Sequence, residues 1–481
     1  MLSWLKILLY LVTTVFFGLL GSLIIVSIAL KLYLRKKKLS SSEGNRFSVG
    51  FFHPYCNAGA GGERVLWCAV LAVHSKLPEA HIVIYTGDLD ASPSDIINRT
   101  NQRFNIQVPE NVEFIYLRHR KWVESQMYPV FTLLGQSLGS IVLGLEALFT
   151  FTPDVYIDTM GYAFTMPLFS YIGGCNVATY THYPIITSDM LYKVSRRVKS
   201  YNNDSFIARS VILSQLKIIY YRLFAWVYSF VGRSADVIMV NSSWTENHIN
   251  ALWRCPMKTF RVYPPCDVED LKKLPLERDV TNEKRIVSIG QFRPEKDHVL
   301  QVKMMHELRE IISDEIWKSV KLVLIGSTRN KEDEAYVKDI QNLSRHLSLE
   351  DNIEFKINVS YSQLKSEYEK GFIGLHTMWN EHFGIGIVEC MAAGLIMVAH
   401  NSGGPKMDII ETAGASRNGF LASDEKEYAS YIKHLVTCSD ESYLSDLQER
   451  ARSSVDRFAN PEFNRSFLQA TQFLFPCKKD S

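Results

Sequence analysis

The sequence predicts an α/β chain: two doubly wound parallel-sheet domains, one after the other, behind an N-terminal membrane-spanning helix. Three observations predict it. Ile7 to Leu30 carries no charged side chain over 24 positions. Beyond it, short apolar runs rich in β-branched and aromatic residues recur, separated by segments long enough for helices. The series breaks once, at V-Y-P-P-C-D-V-E-D (Val262–Asp270), where two prolines favour extended backbone and a polar stretch follows to Lys284.

The apolar N-terminal run is long enough to span a hydrocarbon core of about 30 Å at about 1.5 Å per residue. It lacks the short apolar region and small-residue cleavage site of a removable leader, so it reads as an anchor. It ends in K-L-Y-L-R-K-K-K, residues 31–38, with five basic side chains, against Lys6 alone upstream. That excess places the body of the chain on the cytosolic side. A short polar linker, Leu39 to Asn45, follows.

The strand candidates of the first half are residues 47–53, 81–88, 112–118, 154–159, 176–182 and 235–241. Those of the second half are 285–290, 321–326, 353–357, 371–376 and 396–400. Runs that are apolar throughout suit strands covered by helices on both faces. Strand–helix alternation then gives parallel sheets. The reading is an anchor over 1–40 (span 7–30), a first Rossmann-like domain over 46–275 and a second over 276–481. The terminal helix packs back on the first domain. Two such domains face a cleft, and ligands sit outside the carboxyl ends of the strands.

Two further apolar stretches lie inside this series. Ser125 to Leu145 is uncharged over 21 residues but holds Gln136 and three glycines; Leu216 to Val231 includes Lys217 and Arg222. Within a strand–helix alternation both read as core or interfacial helices. For 216–231, with Lys193, Arg196, Arg197 and Lys199 upstream, a helix on an anionic lipid surface and a packed helix with solvated lysines fit equally.

Composition narrows the function classes. A chain of 481 residues with 47% hydrophobic and 22% charged residues is globular. A formal charge of +2 argues against binding nucleic acid through phosphate neutralisation. The eight cysteines form no C-x-x-C pair and no metal spacing, and scattered thiols fit a reducing compartment. Six glycosylation sequons, at Asn98, Asn203, Asn241, Asn342, Asn358 and Asn464, are of a kind common by chance.

Three stretches could carry chemistry. The first strand runs into H-P-Y-C-N-A-G-A-G-G-E-R-V (His53–Val65), with a helical pattern beginning near Glu63. Glycines at such a turn let backbone amides approach a phosphate; a plain tight turn fits as well. G-Q-F-R-P-E-K-D-H (Gly290–His298) puts Arg293 and Lys296 on a strand-to-helix loop. Two cations there suit a diphosphate, and a solvated loop would look the same. N-E-H-F-G-I-G-I-V-E-C-M-A-A-G (Asn380–Gly394) places Glu381 on a loop and Glu389 in the first turns of the next helix. The amides of Phe383, Gly384 and Ile385 lie at that helix start. Carboxylates so placed can accept hydrogen bonds from a polyhydroxylated ligand; spacing alone also allows an acidic loop and an incidental helix glutamate.

The stretch E-H-F-G-I-G-I-V-E resembles the E-x7-E motif of retaining nucleotide-sugar glycosyltransferases of the GT-B fold (family four). Gly290–Lys296 resembles their donor-diphosphate loop, and N-S-G-G-P-K (Asn401–Lys406) their next glycine-rich turn. With N-A-G-A-G-G-E-R-V, Y-T-H-Y-P and the anchor, the chain is similar to the endoplasmic-reticulum α-1,2-mannosyltransferases that extend dolichol-linked oligosaccharide. The resemblance implies GDP-mannose as donor, addition of the fourth and fifth mannoses on the cytosolic face, and company with other mannosyltransferases of that pathway. It implies that Glu381 touches the donor sugar, Glu389 the ribose, and Arg293 and Lys296 the diphosphate. Gly61, Gly62 and the amides of Phe383 to Ile385 complete the phosphate cradle, and His182 faces the sugar. Gln291 stands where many relatives have arginine, which leaves Lys296 the firmer of the two cations. No D-x-D-like metal site is evident, so no metal cofactor is expected. A related transferase with another donor or acceptor, and a non-catalytic scaffold on the same fold, are the competing readings.

Overall fold

The computed structural model describes residues 2–40, 46–59, 61–187, 190, 211–277 and 283–476. Lys193, Arg196, Arg197, Lys199, residues 41–45 and 278–282 of the two linkers, the Asn203 sequon and Cys477 lie outside them. The chain divides into two compact units. One comprises Met1–Val240, Glu246–Phe260 and Phe467–Ser481; the other comprises Asn241–Thr245 and Arg261–Ser466.

The first unit holds strands β1 (Ser48–Phe52), β2 (His81–Thr86), β3 (Val112–Tyr116), β4 (Val155–Asp158), β5 (Asn176–Thr181) and β6 (Val237–Val240). β7 (Thr259–Arg261) closes its edge, and the order is β3-β2-β1-β4-β5-β6-β7. The second sheet is built from β8 (Lys284–Ile289), β9 (Val320–Gly326), β10 (Ile353–Ile357), β11 (Gly371–His376), β12 (Ile396–His400) and β13 (Gly419–Ala422). Its order is β10-β9-β8-β11-β12-β13, parallel throughout. Both sheets start in the middle and reverse direction once, between β1 and β4 and between β8 and β11. Such reversal points open a crevice at the carboxyl ends of the strands. β7 and β13, of three and four residues, are edge strands too short to be legible as apolar runs.

The continuous apolar runs have the packing they imply. Along β9, Leu322 and Leu324 belong to one buried cluster while Val323 and Ile325 belong to another on the opposite face. Along β12, Ile396 and Val398 divide from Met397 and Ala399 in the same way. Side chains alternate faces along a strand, so burial on both faces removes the polar alternation of a half-exposed sheet.

The N-terminal helix covers Leu2–Ser40 and contains the whole apolar span. Its far end is fixed to the first unit: Leu34 is buried, the Lys37 Nζ donates to the Phe149 carbonyl at 2.6 Å, and Lys38 pairs with Asp154 at 2.6 Å. The two internal apolar stretches are helices Thr132–Thr150 and Val211–Gly232.

Close backbone approach fixes one glycine at the carboxyl edge of the second sheet. A Cβ on Gly326 would overlap the Gly290 carbonyl oxygen and lie 3.1 Å from the Phe292 ring. Gly326→Ala is expected to cost about 1–3 kcal/mol by overpacking, read as a lowered thermal midpoint. Gly18→Ala, mid-helix with nothing within 4 Å, is the control and does not lower the midpoint.

Candidate active site

In the second unit the reversal point carries a charged constellation. β8 and β11 are neighbours, so the loops leaving them start side by side. The first loop turns through Pro294–Lys296, and Asp297, at φ 52°, caps the following helix by accepting from the Leu300 amide. The second begins at Thr377, whose hydroxyl donates to the Lys296 carbonyl at 2.8 Å and accepts from Gln301 at 2.7 Å. This staples one loop to the other. Lys296 Nζ then lies 2.6 Å from Glu381 Oε2, and His376 Nε2 lies 3.2 Å from the same oxygen.

Burial works against ionising Glu381, but the His376 hydrogen bond and the Lys296 charge outweigh it and hold its carboxyl well below the usual carboxylate range. Glu381 is therefore an anion with a cation already beside it. The other predicted cation is placed differently. Arg293 lies 3.8 Å from Glu295 and 4.0 Å from Asp333, not on Glu381.

The glycine turn after β12 supports the Glu381 loop from behind. Gly404 N donates to the Glu381 carbonyl at 2.8 Å, and Asn380 N donates to Ser402 Oγ at 2.8 Å. A Cβ on Gly403 (φ +59°) would overlap the Glu381 carbonyl oxygen, and one on Gly404 would lie 2.6 Å from Phe383 Cα. Asn401–Lys406 thus needs its glycines because the acidic loop passes so close. Helix Ile385–Ala392 follows, with Gly384 at φ 115° before it. Its first amides have no intrahelical partner. Phe383 is 3% exposed and packs against Tyr263 and Phe458, so it offers a backbone amide rather than a side chain. Glu389 accepts from the Tyr368 hydroxyl at 3.2 Å.

The first unit has its own cluster at the β1/β4 reversal. Helix Gly61–Lys76 begins two residues earlier than the Glu63 start read from the sequence, so Gly61 and Gly62 form its first turn. A Cβ on Gly62 would stand 3.7 Å from His182 Nε2 and 4.0 Å from His53 Cε1. His182 Nε2 lies 3.1 Å from the Thr159 carbonyl oxygen, which only accepts, so that nitrogen carries the hydrogen. His53 Nδ1 lies 2.8 Å from the Thr159 hydroxyl. Burial first, and His182 second, lower the His53 pKa to about 3, so it is neutral.

His53, Thr159, His376, Thr377 and Ser402 were not singled out by sequence. A signal for the histidines existed: His53, His182, His376 and His400 each end a strand or directly follow one, the edge at which doubly wound sheets bind ligands. Among the described residues no group of three or more His, Cys, Asp or Glu is disposed to hold a metal ion.

Comparison with known proteins bears directly on this arrangement. Residues 46–253 match the family model described as ALG11 mannosyltransferase N-terminus, and residues 275–454 match glycosyl transferases group 1. The mouse protein named GDP-Man:Man(3)GlcNAc(2)-PP-Dol alpha-1,2-mannosyltransferase is 52% identical over 443 residues, 92% of this chain and 90% of its own. The chain belongs to this mannosyltransferase family. The human member is 52% identical over 94% of this chain and 93% of its own length, and the Dictyostelium discoideum member 46% over 90% and 86%. Among solved structures, a Rickettsia africae glycosyltransferase superposes with a TM-score of 0.60 at 15% identity, covering 91% of this chain and all of its own. Anabaena Alr3699/HepE in complex with UDP gives 0.60 at 17%, covering 89% and 100%. At such identities the likeness shows the fold, that of the GT-B glycosyltransferases.

Two predictions follow from the geometry of these mannosyltransferase units. A depressed histidine pKa stabilises above the unfolded value of 6.5 and loses that contribution as pH falls toward about 3. The stability of the wild type against chemical denaturation is expected to fall by up to about 1.4 kcal/mol per pH unit below 6.5, and His53→Asn to flatten that slope. Gly403→Ala is expected to displace the Glu381 carbonyl and cost about 1–3 kcal/mol. In a thermal melt it falls well below Gly414→Ala, which shares a positive φ but meets nothing within 4 Å.

Proposed function

We propose that the chain transfers mannose from GDP-mannose, in α-1,2 linkage, to a Man(3)GlcNAc(2) oligosaccharide carried on dolichol diphosphate, adding the fourth and fifth mannoses. The observation that carries this is the Lys296–Glu381–His376 constellation at the β8/β11 reversal, in a chain about half identical to relatives named for that transfer. The chain works at the cytosolic face of the endoplasmic reticulum, with helix Leu2–Ser40 spanning the membrane. The uncharged run over 7–30 and the basic residues after it support this orientation.

The catalytic work is charge stabilisation and positioning. Without donor, Lys296 and Glu381 are counter-ions. When the nucleotide sugar enters, its diphosphate takes over Lys296 and Glu381 turns to the mannose hydroxyls. Arg293 and the amides of Phe383, Gly384 and Ile385 add to the phosphate cradle. Glu389 holds the ribose, and in the first unit His182 offers an Nε2–H donor beside the Gly61 and Gly62 turn. The acceptor hydroxyl attacks the anomeric carbon from the side of the leaving group. The carbon–diphosphate bond breaks, and the hydroxyl proton passes to the departing diphosphate oxygen, so configuration is retained and GDP leaves. The positive charge comes from Lys296 and the helix-start amides, with no divalent metal.

In-vitro transfer to a lipid-linked trimannosyl acceptor, with linkage analysis of the product, tests this. Lys296→Ala is expected to lower kcat by about 10²–10³, the scale of removing one preorganised charge-stabilising group, in a chain that circular dichroism still reports as folded. Activity in EDTA is expected to equal that without it. Full activity of Lys296→Ala, or transfer from a UDP-sugar in preference to GDP-mannose, would overturn the assignment.

A further inference from the structure

Two donors share one oxygen of Glu381. Lys296 Nζ lies 2.6 Å from Oε2 and His376 Nε2 lies 3.2 Å from it, while Oε1 accepts from the His382 amide at 3.2 Å. A carboxylate only accepts, so His376 Nε2 carries the hydrogen. The two donors differ in freedom. Lysine ends a flexible four-carbon stem. The imidazole is buried and belongs to the last residue of β11. Burial works against the charge on Glu381. The His376 hydrogen bond is the largest contribution opposing it, and the Lys296 charge comes next.

The other ring nitrogen has no such contact. His376 Nδ1 is buried without a hydrogen-bond partner among the described residues. An unpaired buried polar atom works against stability, so packing alone does not account for a histidine here. The neighbouring backbone is held by other groups. The Tyr428 hydroxyl donates to the His376 carbonyl at 2.8 Å, and Gly404 N donates to the Glu381 carbonyl. From β12, His400 Nδ1 lies 2.8 Å from the Ser402 hydroxyl that accepts from the Asn380 amide. The main chain of the acidic loop is thus fixed by contacts that the His376 ring does not make. What the ring holds is the Glu381 carboxylate.

We infer that His376 is a positioning residue for the sugar half of the donor, acting through Glu381. This rests on the proposed assignment of Lys296 to the diphosphate and of Glu381 to the mannose. Once the diphosphate has taken Lys296, His376 is the side chain still donating to Oε2. It keeps the carboxylate anionic and aimed, and a mannose hydroxyl donates at the place Lys296 has left. The ring therefore contributes to recognition of mannose and nothing to the hold on GDP.

Steady-state transfer to the lipid-linked trimannosyl acceptor, with the Kd for GDP measured by calorimetry, tests this in the full chain. His376→Ala is expected to lower kcat/KM for GDP-mannose by about 10- to 100-fold, the scale of one hydrogen bond to a charged group. The Kd for GDP stays as in the wild type. His376→Gln, whose amide N–H stands near the place of Nε2, recovers most of the loss. In a Glu381→Ala background, His376→Ala lowers kcat/KM no further, because the ring acts only through that carboxylate. A His376→Ala chain that transfers as well as the wild type would overturn the inference. So would one that no longer folds, one that loses GDP in step with GDP-mannose, or one that costs as much in the Glu381→Ala background. A His376→Gln chain as impaired as His376→Ala would overturn it too. Full transfer by Glu381→Ala would instead remove the reading on which it rests; a neutral His376→Ala beside an impaired Glu381→Ala leaves that reading standing.

Discussion

The contact between Lys296 and Glu381 spans 85 residues of sequence, and most of the second unit serves to make it. Its cause is topological. β8 is laid down first and β11 fourth, yet they pair, because the sheet winds one way and then the other from its centre. The loops leaving them begin at adjacent strand ends. The Thr377 hydroxyl, bridging to Lys296 and Gln301, sets their separation to one hydrogen bond. Strand order thus fixes which loops meet, and single side chains fix how closely.

The pair is also an electrostatic device. A lone carboxylate as buried as Glu381 would be driven toward its neutral form. With His376 and Lys296 at its oxygen it stays charged, and the lysine is held at one point instead of swinging on its four-carbon stem. The fold alone holds these charges in place.

Legibility from sequence followed the range of the interactions. The strands β8 to β12 were readable because burial on both faces leaves apolar runs. β7 and β13 were not, being short edge pieces whose pairing is decided by neighbours. Lys296 and Glu381 could be found from local motifs, but their contact could not, since nothing in either motif says that β8 lies beside β11. Arg293 and Lys296 looked equivalent in the sequence. The backbone turn at Pro294–Asp297 separates them, sending one toward Glu381 and the other toward Asp333. His53 and His376 were passed over because a single histidine has no spacing to read; only their common position at strand ends marks them. Gly403 and Gly404 were assigned to a glycine turn, and the reason for them, room for the acidic loop, needed three dimensions.

The first unit is assembled from separated parts of the chain, among them Phe467–Ser481. Phe467 and Thr471 there are fully buried, and the Phe475 ring meets Phe47 edge-on at 6.4 Å, just before β1. This has a consequence for the order of synthesis. Ribosomes deliver the N-terminal strands first, but the unit that contains them keeps an unfilled apolar seat until residues 467–475 emerge. The second unit, lying between, has all its strands beforehand. The half of the protein that begins first is therefore the half that finishes last, and for the interval it depends on the nascent chain not being cut short.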